Sequence, residues 1–96
     1  MKRLLPLLFL AACGAQPAPE FMLGAQRADV QRNGRDFTVF HTESRVEVIR
    51  LGFAGRGEHQ AIRADMEALV ADVTGCTLDQ SSVVGDSGEM RASILC

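Results

Sequence analysis

Asn33-Gly34 sits between two runs of alternating polar and apolar residues, Arg27 to Arg32 and Asp36 to Val39. This pair is the strongest short signal for a β-hairpin, because a type I′ turn needs two residues that tolerate positive φ. A two-residue turn there sets Val30 opposite Phe37 and Ala28 opposite Val39, all four on one face. A second turn falls near His41-Thr42-Glu43-Ser44 and leads into Val46-Glu47-Val48-Ile49-Arg50-Leu51. A four-residue loop puts Val39 opposite Val46 and Phe37 opposite Val48, again on that face. Two independent turns thus agree on a three-stranded meander with one apolar side.

Gly52 to Gly57 carries three glycines and reads as a connector. A helix is expected from about Glu58 to Thr74. Ile62, Met66, Leu69, Val70 and Val73 recur at helical spacing as one apolar stripe. Ala61, Ala64, Ala68 and Ala71 favour helix, Arg63 and Glu67 are spaced as a surface pair, and Gly75 fits the stop. Cys76 to Cys96 reads as another hairpin, turning at Gly85-Asp86-Ser87-Gly88. Its register sets Leu78 opposite Ile94, Gln80 opposite Ala92, Ser82 opposite Met90 and Cys76 opposite Cys96. Cross-strand neighbours on one face have Cβ atoms ~4.5–5.5 Å apart, so a Cys76–Cys96 disulfide needs only modest closure. The expected fold is α+β: an antiparallel sheet in the order βββαββ, with the helix packed on one face. Residues 26–96 form this single small domain.

The amino terminus is different in kind. Met1-Lys2-Arg3 is followed by nine apolar or small residues, Leu4 to Ala12, and then Cys13-Gly14-Ala15. A membrane-spanning helix needs about 20, so this run suits an export signal rather than a span. Leu10-Ala11-Ala12-Cys13 resembles the lipobox of bacterial lipoproteins. The resemblance implies a signal peptide over residues 1–12, cleavage before Cys13, and acylation of Cys13 on its thiol and new amino group. Gly14 in place of an aspartate implies sorting to the outer membrane, with the domain facing the periplasm. The implied partner is then the lipid bilayer itself, held through acylated Cys13. Two or more acyl chains give stable anchoring at ~0.8 kcal/mol per buried methylene. Gly14 to Ala25, with two prolines and several small residues, completes a flexible tether over residues 13–25. The alternative is ordinary cleavage after Ala15, releasing a soluble periplasmic binding or inhibitor module.

The three cysteines fit export. Lipidation or removal of Cys13 leaves an even pair, and the periplasm is oxidising. Without Lys2 and Arg3 the remaining chain has no lysine and a formal charge of −4, so a basic patch does not explain membrane attachment.

Evidence for chemistry is sparse. The formal charge of −2 over 96 residues argues against nucleic-acid binding, and the length excludes Rossmann and barrel cofactor folds. His41 and His59 lack partners at metal-ligand spacing, so no metal or cofactor is expected. Gly52-Phe53-Ala54-Gly55-Arg56-Gly57 lacks the Gly-Lys-Ser/Thr ending of a phosphate loop, although Arg56 is a candidate to hold an anion. Asp65 and Glu67 read as a solvated helix face, and Asp86 and Glu89 as a hairpin tip. The expected role is non-catalytic binding or assembly in the envelope, with a small hydrolase using His41, Glu43 and Glu47 as the rival. The outward sheet face carries Arg27, Asp29, Thr38, Glu47 and Arg91 together with Phe40, Ile49, Leu51 and Leu95. Phe40, Ile49 and Leu51 are the candidate partner surface, for a protein partner in the envelope. Phe21-Met22-Leu23 is the candidate cover for it.

Overall fold

The computed structural model describes residues 24–96. The segments expected as signal peptide and tether, through Phe21-Met22-Leu23, and the expected lipidation of Cys13 lie outside the described residues. Strands β1 (Gln26–Arg32), β2 (Arg35–His41) and β3 (Arg45–Leu51) precede helix α1 (His59–Thr74). Strands β4 (Thr77–Leu78), β5 (Val84–Gly85) and β6 (Glu89–Leu95) follow it. The sheet is antiparallel in the order β1-β2-β3-β6, and β4 and β5 both pair with β6. The α+β expectation, a meander, one helix and C-terminal strands, is the observed fold. Strand β1 pairs only with β2 among the described residues.

The first turn forms as its sequence demands. Asn33 and Gly34 have φ of 52° and 78°, both positive as type I′ requires. Ala28 faces Val39 and Val30 faces Phe37. The second turn is displaced by one residue from expectation. Val39 faces Val48 and His41 faces Val46, so Phe37 lies opposite Arg50 rather than Val48. Thr42 fixes this choice. Its hydroxyl accepts from the amides of Ser44 and Arg45 at 3.3 and 3.1 Å, and its own amide donates to Arg45 O at 2.9 Å. Pairs move by an even number of positions, so the inward face survives the correction.

The C-terminal hairpin is broken where continuous pairing was expected. Leu78 faces Ile94, but Val84 then faces Arg91, so Gln80 does not oppose Ala92 and Ser82 does not oppose Met90. Asp79 is the cause. Its carboxylate accepts from Ser81 N at 3.1 Å and Ser81 Oγ at 2.8 Å, and a 3-10 turn over Gln80–Ser82 follows. Such local side-chain bonds compete with a strand ladder. The ladder is repaired across the gap by Ser82 Oγ, which accepts from Ser93 N at 2.8 Å.

Helix α1 lies on one face of the sheet. Ile62, Met66, Leu69 and Val70 meet Phe37, Val39, Val46, Val48, Met90, Ala92 and Ile94 in a single buried core. Val73 is only partly buried at its edge. Asp65 corrects the solvated-face expectation, since it is only 5% exposed. Its Oδ1 accepts from Asn33 Nδ2 at 2.6 Å and its Oδ2 from Arg35 Nη1 at 3.2 Å. The helix therefore grips the tip of the β1–β2 hairpin through one charged group. Arg63 and Glu67 each reach the C-terminal segment instead of forming a surface pair. Arg63 donates to Gly85 O at 3.3 Å, and Glu67 accepts from Gln80 Nε2 at 3.3 Å. No helix among the described residues is long and apolar enough to cross a membrane.

Candidate functional site

Three separate stretches of chain converge at the amino-terminal end of α1. Arg50 projects from the end of β3, His59 and Arg63 from the first turns of the helix, and Ser87 from the loop between β5 and β6. With Gln60, Asp86 and Gly88 they line an open cleft of about 530 Å³. His59 and Arg63 are four residues apart, which stacks them on one helix face. Arg50 ties the β5–β6 loop in place. Its amide donates to Gly88 O at 2.9 Å, and Nη1 donates to Ser87 O at 2.8 Å and Ser87 Oγ at 3.3 Å. Ser87 Oγ also lies 2.5 Å from His59 Nδ1. The serine is only 7% exposed, so its hydroxyl is positioned from both sides.

The charge balance of this cleft is unusual for the molecule. Arg27, Arg32, Arg35 and Arg91 each sit within 4 Å of a carboxylate. Arg50 and Arg63 form no such pair among the described residues. Arg63 Nε is shielded from solvent and has no hydrogen-bond partner. Asp86, the one carboxylate in the lining, is turned to the backbone. Its Oδ1 accepts from Gly88 N at 2.8 Å and Glu89 N at 3.3 Å. Those two amide bonds, helped by the charges of Arg50 and Arg63, hold its carboxyl below the ordinary aspartate value. The helix start adds to the excess of donors. Glu58, its N-cap, makes no side-chain cap bond, and no acidic residue occupies the first turn. The Glu58 carboxylate instead accepts from Gly55 N at 3.2 Å and lies 3.6 Å from Arg35.

No family model matches this chain, and no curated protein or solved structure is significantly similar to it.

A second cleft, of about 600 Å³, lies at the other end of the helix, lined by Gly24, His41, Glu43, Thr74 and the two cysteines among others. Cys76 and Cys96 are joined there in a disulfide with Cα atoms 4.5 Å apart, in the register extrapolated from β4 and β6. His41 and Glu43 share this cleft, but Glu47 belongs to the opposite sheet face and is only 1% exposed. The three do not converge. Among the described residues no group of three or more histidine, cysteine or acidic side chains is placed to hold a metal.

The candidate partner surface is also redistributed. Ile49 is only 2% exposed, because β3 is a central strand flanked by Thr38 of β2 and Glu89 of β6. Phe40 is half-buried, with the Arg27 guanidinium 5.7 Å from its ring centroid. Leu51 stays exposed, and Phe53, which the sequence reading passed over, is 92% exposed just beyond it. Arg56 is exposed but does not line the cleft. Nothing local in the sequence marks Arg50 and Ser87 as neighbours, since 37 residues separate them. The four-residue spacing of His59 and Arg63 is the one local signal of this cleft in the sequence.

Proposed function

We propose that this chain is an exported lipoprotein of the bacterial envelope, anchored through acylated Cys13, whose domain has a non-catalytic binding role in the periplasm. The observation that carries the reading is the Cys76–Cys96 disulfide. It accounts for two of three cysteines, suits an oxidising compartment, and leaves Cys13 alone inside Leu10-Ala11-Ala12-Cys13. The binding role is supported by the cleft of Arg50, His59, Arg63 and Ser87, with its surplus of donors. Labelled palmitate should enter the wild-type chain and be absent from Cys13→Ser. Mass spectrometry of the wild type should find the mature chain starting at Cys13 with a diacylglyceryl thioether. A free thiol there, or a start downstream of it, defeats the proposal.

A hydrolytic reading draws on the His59–Ser87 contact, which has the geometry of a base beside a nucleophile. Against it, no carboxylate orients the other imidazole nitrogen among the described residues, and Arg50 donates to the same hydroxyl. A fluorophosphonate probe separates the two readings. Binding alone leaves the chain unlabelled, whereas labelling that disappears in Ser87→Ala establishes a serine hydrolase.

A further inference from the structure

The cleft at the start of α1 holds more hydrogen-bond donors than the protein itself uses. Arg50 spends Nε on Gly52 O at 3.3 Å and Nη1 on Ser87, which leaves Nη2. Arg63 spends Nη1 on Gly85 O, which leaves Nη2 and the shielded, unpartnered Nε. The shielded Nε has no room for an outside acceptor, so the guanidinium donors left for a ligand are the two Nη2 groups. With its proton on Nδ1, the His59 imidazole donates to Ser87 Oγ and frees the serine hydroxyl hydrogen. Asp86 does not cancel this set. It is one carboxylate against two guanidiniums, and both of its bonds run to backbone amides. The volume of about 530 Å³ lies within the roughly 300–1,000 Å³ usual for small-molecule sites. Guanidinium pairs recognise oxyanions through charge-assisted bonds.

We propose that this cleft is a binding site for a phosphate group, held between the guanidiniums of Arg50 and Arg63 with the Ser87 hydroxyl, oriented by His59, as a further donor. The inference rests on the binding role above and names its ligand chemistry. Two sources present that group at an envelope surface: free phosphate and the headgroup of a phospholipid. Both offer a tetrahedral oxyanion to the same three donor side chains.

The test uses the full chain in uncharged detergent micelles and follows its amide and arginine Nε signals by NMR. The probes are inorganic phosphate and dihexanoyl phosphatidic acid, which is soluble as a monomer. Sodium chloride at matched ionic strength is the reference. Saturable shifts at Arg63 Nε, Ser87 and Gly88 in the millimolar range or below are expected. Arg63→Gln should weaken binding at least about tenfold, the worth of one charge-assisted bond. Arg56→Gln should leave it unchanged. Saturation by inorganic phosphate without phosphatidic acid assigns the free anion, and tighter binding of phosphatidic acid assigns the headgroup. Chloride shifts equal to those of phosphate, or no response from a chain whose spectrum is that of the folded protein, overturn the proposal. Arg63→Gln is checked against the wild-type spectrum. Should it not fold, Ser87→Ala takes its place with a several-fold weakening expected, and undiminished binding overturns the assignment. Palmitate labelling of Cys13 is read separately, so loss of the anchor and loss of the phosphate site are distinguishable.

Discussion

The two ends of helix α1 are finished in opposite ways. At its carboxyl end the chain closes on itself. Gly75 takes φ of 74° and donates to Ala71 O at 2.9 Å, Thr74 Oγ1 donates to Val70 O at 2.6 Å, and Cys76 is covalently joined to Cys96. At its amino end the N-cap supplies no side-chain bond, Arg50 and Arg63 have no carboxylate within 4 Å among the described residues, and the cleft stays open. Stability is concentrated at one end and unspent binding capacity at the other, a division common where a rigid frame carries a site.

That contrast can be broken by experiment. The largest effect is expected from the disulfide. Closing a loop of 20 residues is worth about 3 kcal/mol by chain entropy. Cys76→Ala with Cys96→Ala should lose that much in urea denaturation, and reductant should do the same to the wild type. An unchanged midpoint would mean that the closed end is not the stable one. Next comes Asp65→Ala, which strips the hairpin tip of its buried acceptor and should cost about 2 kcal/mol. Asp65→Asn, which keeps one acceptor oxygen, should recover part of that loss in the same measurement. Ser87→Ala removes a partner from both Arg50 and His59 and should cost only about 1 kcal/mol, because the cleft admits water to replace it. A loss as large as that of the disulfide would show the open end to be a structural keystone instead.

The smallest effect is one of pH. The Asp86 carboxyl titrates below its ordinary value in the folded chain, foremost because Gly88 N and Glu89 N bind the ionised form. Its contribution is therefore present above the unfolded aspartate pKa of about 3.9 and is lost as pH falls through the lower folded value. Asp86→Asn should flatten that part of the acid-unfolding curve and leave neutral stability nearly unaltered.

Legibility in the sequence follows from how local each determinant is. Asn33-Gly34 could be read because the turn's dihedral demands are met by those two residues alone. The core stripe of α1 could be read because helical period and burial coincide. The second turn was one residue out because a four-residue loop can be cut in neighbouring places, and Thr42 chose between them through its hydroxyl. The break in the last hairpin came from Asp79, whose competition with pairing is visible only when the bond is seen. Asp65 looked like a surface acid because its partners, Asn33 and Arg35, arrive by docking a hairpin 30 residues away. The Arg50, His59, Arg63 and Ser87 cleft was hidden for the same reason. Ile49 was misplaced because alternation gives the face of a strand but not its depth in the sheet.

The edge of β1, unpaired among the described residues, has one more implication. Its outward row begins with Arg27 and Asp29, both more than half exposed and 3.3 Å apart. At high concentration, identical domains with an unpaired edge stack edge to edge into fibrils. Alternating charges on such a rim make each new layer electrostatically and sterically unwelcome, so the ornament of two ionised side chains keeps neighbours as individuals.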